Sequence, residues 1–177
     1  MTPLQAQYVA AVSTPSDINE HLPTLFTLAN ECDHVTEFGV RWGASTTAFL
    51  ASKARLISYD IDQHPAALHL FELAREESKQ AEFIKADTLK LGAIVETDML
   101  FIDTLHTYAQ LWRELFKFHG GVQKYIVLHD TVTFGERGED GGPGLLPAMW
   151  EFLTAFPKWS IKTHYTNNNG LTVLERA

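Results

Sequence analysis

From His34 onward, short β-rich runs and helical stripes alternate five times, and this alternation leaves few folds open to the chain. The expected strands are His34–Phe38, Arg55–Tyr59, Glu82–Lys85, Met99–Ile102 and Tyr125–Leu128. Between them the 3.6-residue period predicts a helix over Ala44–Lys53 and another from Pro65, with Ala67, Leu68, Phe71 and Ala74 on its buried face. A short turn or helix is expected around Thr88–Leu91. Over Thr107–His119, Tyr108, Leu111, Trp112, Leu115 and Phe116 form a clear stripe, ended by Gly120-Gly121. A last helix carries Leu145, Met149, Phe152, Leu153 and Phe156 inward. Strands joined through helices run parallel and need cover on both faces. The chain then closes with Ser160–Tyr165 and Leu171–Leu174 around Thr166-Asn167-Asn168-Asn169-Gly170, a hairpin signal. The expectation is an α/β sandwich on a seven-stranded, mostly parallel sheet whose last strand is antiparallel.

One domain of 177 residues is expected. Residues 1–33 form two N-terminal helices, 34–177 the core, and 131–144 a long connection. The first helix spans Thr2–Val12. The second has Ile18, Leu22, Leu25, Phe26 and Ala29 on one face, and Pro23 either kinks it or splits it.

The net charge of -8, with no basic cluster, argues against a nucleic-acid partner, because phosphate backbones are held by clustered Lys and Arg. No apolar run approaches the roughly 20 residues a membrane span needs. The first basic residue is Arg41, which speaks against a signal or transit peptide. The single cysteine, Cys32, has no internal partner, packs at a helix end and suits a reducing compartment, so a cytoplasmic location is expected. A small-molecule substrate is favoured, and a homodimer stays open.

The first expected strand runs into Glu37-Phe38-Gly39-Val40-Arg41-Trp42-Gly43-Ala44-Ser45, a glycine-bearing turn that opens a helix. Such a turn lets backbone approach a ligand and aims unpaired N–H groups at it. In open α/β sheets, ligands sit at the carboxyl ends of the strands. Each expected strand delivers an acid there: Glu37, Asp60, Asp87, Asp103 and Asp130. One such acid is as readily a helix cap; five at corresponding places read as a site. A dinucleotide turn needs a second glycine two residues after the first, and here that place is Arg41. Asp60, about 20 residues past the turn, is placed for ribose hydroxyls, and Asp87 for an adenine amine. Ribose, adenine, positive charge and no pyrophosphate together describe S-adenosylmethionine.

At this point the chain resembles the class I S-adenosylmethionine-dependent methyltransferases. Glu37-x-Gly39-x-x-x-Gly43-x-Ser45, Asp60, Asp87 and Phe101-Ile102-Asp103-x-x-His106-x-Tyr108 look like their successive motifs. With Val127-Leu128-His129-Asp130-Thr131, the likeness is greatest to the small bacterial and phage group that includes sugar and antibiotic O-methyltransferases and cephalosporin-hydroxylase-like enzymes. It covers roughly residues 34 to 177 and implies their Rossmann-like fold. By resemblance, Gly39, Arg41, Gly43 and Ser45 border the methionine moiety, Asp60 the ribose, and Asp87 with Thr88 the adenine. Glu37, Val40, Ile61, Asp103 and Tyr108 complete the candidate cofactor-binding set. Relatives commonly carry Gly and an acid between the aspartate and the histidine, where this chain has Thr104 and Leu105.

Methyl transfer to a hydroxyl requires a base, or a divalent cation that lowers the acceptor's pKa. Asp103, His106 and Asp130 are the candidate catalytic residues, with His106 the candidate base or else a capping or stacking histidine. Asp103, His129 and Asp130 are the candidate ligands for Mg²⁺ or Mn²⁺; otherwise Asp130 caps the next loop and His129 packs beneath it. The remaining histidines, His21, His34, His64, His69, His119 and His164, are assigned to surface or half-buried roles. Trp42 either roofs the cofactor or packs on the first helix, and Trp112 and Trp150 are assigned to the core. Residues 131–144, rich in glycine and acid, are expected to form a lid over the acceptor pocket. The competing readings are a non-catalytic S-adenosylmethionine-binding module and an NAD-binding oxidoreductase.

Overall fold

A computed structural model describes residues 1–177. Its seven strands lie in one sheet, in the order β3-β2-β1-β4-β5-β7-β6. The chain divides into two compact units, Met1–Thr88 and Leu89–Ala177.

In the first unit, helix α1 (Pro3–Ser13) starts on a capping box, with Thr2 and Gln5 bonding each other's backbone and Pro3 in the first turn. The chain tightens into a 3-10 turn at Asn19–His21 before α2 (Leu22–Asn30), where Pro23 fits the first helical turn. Pro23 therefore splits the expected second helix rather than kinking it. That turn also carries His21 inward to 1% exposure, which corrects its assignment to a surface or half-buried role. Cys32 is buried, and its Sγ reaches the Leu28 carbonyl at 3.3 Å, the helix-end packing its position suggested.

Strand β1 (His34–Phe38) pairs in parallel with β2 (Arg55–Asp60), and β2 with β3 (Ala81–Lys85). Helices α3 (Ala44–Ala51) and α4 (Pro65–Glu76) make the connections. Val35, Phe38, Leu56 and Ile57 are buried with Phe49 of α3 and Leu22 and Leu25 of α2. β3, by contrast, carries exposed Glu82 and Lys85, as suits an edge strand.

In the second unit, β4 (Thr97–Ile102) and β5 (Val122–His129) are parallel, and α5 (Tyr108–Phe118) lies between them in sequence. Thr107 caps α5 through the Gln110 amide. After α6 (Leu145–Ala155), β6 (Trp159–Tyr165) and β7 (Leu171–Arg176) form the expected hairpin. β7 inserts antiparallel beside β5 and leaves β6 at the edge. Met99, Leu100, Phe101, Leu115, Ile126, Val127, Phe152 and Leu174 fill the core. Trp150 of α6 is 55% exposed, which corrects its assignment to the core: it lies about 100° around the helix from buried Met149. No helix is long and apolar enough to cross a membrane.

Candidate functional site

The glycine turn is a series of left-handed residues. Gly39 has φ 85°, Arg41 φ 50° and Gly43 φ 92°. Gly43 is fixed further by packing, since a Cβ there would lie 2.5 Å from Leu70 Cδ1 of α4. Arg41 is a non-glycine residue in this region, a conformation that costs energy unless its surroundings enforce it. Asp60 supplies that enforcement. Its Oδ2 accepts from the Val40 amide at 2.7 Å and the Arg41 amide at 2.9 Å, while Oδ1 accepts from Asp62 at 2.9 Å. The Gly39 amide donates to the Tyr59 carbonyl at 2.9 Å, tying the turn to β2.

Glu37 lies beneath this turn with no exposed surface. Its carboxylate accepts from Ser45 Oγ at 2.6 Å and Ser58 Oγ at 2.6 Å, and from the Thr46 hydroxyl at 3.0 Å. One carboxylate thus joins β1, β2 and the first turn of α3. Glu37 and Ser45, both candidate cofactor contacts, bond each other inside the unit. Two apolar side chains at or beside the turn are exposed, Trp42 at 56% and Ile61 at 63%. Trp42 stacks under the Arg41 guanidinium at 4.0 Å and meets the edge of His64, while Arg41 also pairs with Asp17 at 3.1 Å. Asp87 is half-buried and Thr88 buried, just past the carboxyl end of β3.

In the second unit, the carboxyl ends of β4 and β5 bring Asp103, His106, His129 and Asp130 together. His106 Nε2 is 2.9 Å from Asp130 Oδ2 and 3.2 Å from Asp103 Oδ1. His129 Nδ1 is 3.3 Å from Asp103 Oδ2 and 3.4 Å from Asp130 Oδ2. A cavity of about 10 Å³, room for one water-sized sphere, lies among Asp103, Thr104, His106 and His129. Burial alone would lower both histidines, but their bonds to Asp103 and Asp130 outweigh it and push each up to about 10. Burial likewise opposes the charge on Asp130, yet the two imidazoles hold its carboxyl well below the usual carboxylate range. His106, the candidate base, is therefore a charged donor in this arrangement. It can accept a proton only when its carboxylates are engaged elsewhere.

Asp130 has φ 59°, and the following loop and the β6–β7 turn hold it there. Its carbonyl accepts from Phe134 at 3.0 Å, and Asn169's carbonyl takes the Val132 and Thr133 amides at 2.9 and 3.1 Å. Thr172 donates to Thr131 at 2.9 Å. Residues 131–144 fold compactly over His106. Phe134 stacks on its ring at 4.7 Å, and Glu139 Oε1 lies 3.2 Å from its Nδ1. Neither Glu139 nor Asn169 was singled out by the sequence, because each reaches its partner across more than 30 residues with no motif to mark it. Tyr108, a candidate cofactor contact, gives its hydroxyl to Glu151 of α6, which also accepts from Trp112 Nε1 at 3.0 Å.

The donor atoms of Asp103, His129 and Asp130 all lie within 4.8 Å of one another. Asp130 Oδ1 is buried without a hydrogen-bond partner, an orphaned acceptor of the kind a cation satisfies. Two carboxylates and an imidazole suit a hard or borderline divalent ion. The residues fit a metal.

The sequence matches no protein-family model and no curated protein sequence. Solved methyltransferase structures share this Rossmann-like fold. The N-methyltransferase NodS from Bradyrhizobium japonicum, in complex with S-adenosylhomocysteine, superposes with a TM-score of 0.67 at 13% identity, over 98% of this chain and 96% of that one. Magnesium protoporphyrin IX methyltransferase from Synechocystis, with its bound cofactor, gives 0.64 at 13%, over 98% and 91%. The pyocyanin biosynthetic protein PhzM gives 0.65 at 13%, over 89% of this chain, which spans about half (53%) of that one.

Proposed function

We propose that the chain is an S-adenosylmethionine-dependent methyltransferase acting on a hydroxyl of a small molecule such as a sugar or secondary metabolite. The observation that carries this reading is the left-handed Gly39–Gly43 turn closed on Asp60, at the carboxyl edge of three parallel strands. It offers close backbone approach and an acidic partner for ribose, without the middle glycine that a pyrophosphate requires. The bound S-adenosylhomocysteine of NodS and the bound S-adenosylmethionine of the Synechocystis enzyme, on the same fold, support it.

When bound, S-adenosylmethionine supplies an electrophilic methyl group, and Mg²⁺ or Mn²⁺ would lower the pKa of the acceptor hydroxyl. Asp60 keeps the turn in shape and has lone pairs left on Oδ1 for ribose hydroxyls. Ile61 and Trp42 offer apolar surface beside the turn, and Asp87 with Thr88 takes the adenine. Asp103, His129 and Asp130 are the residues that would hold the ion. The imidazole of His129 favours Mn²⁺ over Mg²⁺. His106 holds a proton against Asp103 and Asp130; once those carboxylates turn to another partner its pKa falls, it releases that proton to solvent, and the neutral ring can accept one.

The test is methyl transfer from labelled S-adenosylmethionine to a panel of hydroxylated small molecules, with and without EDTA. We expect transfer that EDTA abolishes and Mn²⁺ restores. Transfer unchanged by EDTA and by Asp130→Asn would remove the metal from this reading while leaving the methyltransferase.

A further inference from the structure

We propose that Glu139 is the positioning residue of His106, and that residues 131–144 exist in their compact form to deliver it. This inference rests on the methyltransferase reading for its purpose and on the second unit alone for its geometry.

An imidazole ring attached through two rotatable bonds can turn about either. His106 is prevented from doing so on three sides. Phe134 lies parallel to its ring, 4.7 Å away with an interplanar angle of 6°. Asp130 and Asp103 take Nε2. Glu139 Oε1 accepts the His106 backbone amide at 2.6 Å, and the same oxygen lies 3.2 Å from Nδ1, at ion-pair distance. A carboxylate that accepts the amide of a residue and stands beside its ring restricts how that ring can turn.

Glu139 is in turn fixed by main chain. Its own amide donates to the His106 carbonyl at 3.1 Å, and the Pro143 carbonyl accepts from the Tyr108 amide at 3.0 Å. Gly138 bonds Gly142 at 2.9 Å, with an isolated bridge between Arg137 and Pro143. The glycines are demanded by this closeness. A Cβ at Gly138 would stand 2.9 Å from the His106 carbonyl oxygen, and one at Gly144 would stand 2.2 Å from that of Phe134. Loop and histidine are thereby one mechanical piece, and an acceptor that moves the loop also turns the ring.

The experiment is long-range ¹H–¹⁵N imidazole NMR on the full chain, with His106 assigned through a His106→Gln variant. Amide exchange of Gly138 and Glu139 is followed in parallel, because their main-chain bonds do not involve the Glu139 side chain. Glu139→Ala is expected to shift and broaden the His106 ring signals while the two amides stay protected. Glu139→Gln, which keeps an acceptor oxygen, is expected to retain the sharp signals. Ring signals unchanged in Glu139→Ala would overturn the proposal. So would loss of amide protection in both variants, which would make the side chain merely a fold element. Binding of S-adenosylhomocysteine, measured on the same samples, reports separately on the methyltransferase reading.

Discussion

Glu37 and Ser58 stand directly opposite each other on adjacent parallel strands, and the buried Ser58 hydroxyl donates to the Glu37 carboxylate at 2.6 Å. The same carboxylate takes Ser45 and Thr46 from the helix that follows the glycine turn. An acid that looks from sequence like a ligand contact is thus the internal joint on which the turn rests. Glu37→Ala would leave three buried hydroxyls without their acceptor, at roughly 1–3 kcal/mol each. We expect it to lose about 3 kcal/mol or more of stability in urea unfolding, and Glu37→Gln, which keeps one acceptor oxygen, to lose less. A Glu37→Ala midpoint equal to that of the parent would contradict this role.

Gly43 makes a second, independent demand. Alanine there must adopt φ 92° and push its methyl toward Leu70 Cδ1, 2.5 Å away. The left-handed conformation costs about 1–2 kcal/mol and the crowding about 1–3 more. Gly43→Ala should therefore lose about 2–5 kcal/mol of stability. Adding Leu70→Ala should recover only the crowding, relative to Leu70→Ala alone. Full recovery in that double-mutant cycle would show that backbone strain plays no part.

His119 gives the stability a dependence on pH. It packs 3.9 Å from Phe156 and 5.5 Å from Phe152, and burial, helped by the charge of Arg176, lowers its pKa below the ordinary 6.5. The neutral ring is the one the fold prefers. Its contribution is fully present above about pH 6.5 and is lost as pH falls through the lower folded value. Comparing urea midpoints near pH 7.5 and pH 5, we expect a smaller drop in His119→Phe than in the parent. Equal drops in the two proteins would assign the slope to other groups.

Much of this fold is legible in the sequence because punctuation and period agree. The glycine after Phe38 and the proline at 65 set limits for β1 and α4 that the structure keeps. β4 and β5 begin earlier than their apolar runs, at Thr97 and Val122, because pairing with a neighbour recruits polar residues that period alone leaves out. The five strand-end acids also fall where they were expected, yet their types of environment do not show in the sequence. Glu37 is sealed by Ser58, 21 residues away, while Asp60 stays half-exposed. Trp150 fits a helical apolar pattern and still faces outward, since period identifies a stripe but not its outer limit. Glu139 was hidden for a different reason: a glycine-rich connection has no period, so its one consequential acid looks like the others.

Asp60 shapes the turn, and the function proposed above makes it the ribose partner. Isothermal titration with S-adenosylhomocysteine tests that role most directly. We expect one-to-one binding by the parent, weakened about 10- to 100-fold in Asp60→Ala, as for losing hydrogen bonds to a charged group at roughly 1.5–3 kcal/mol. No binding by the folded parent, or equal affinity in Asp60→Ala, would contradict it.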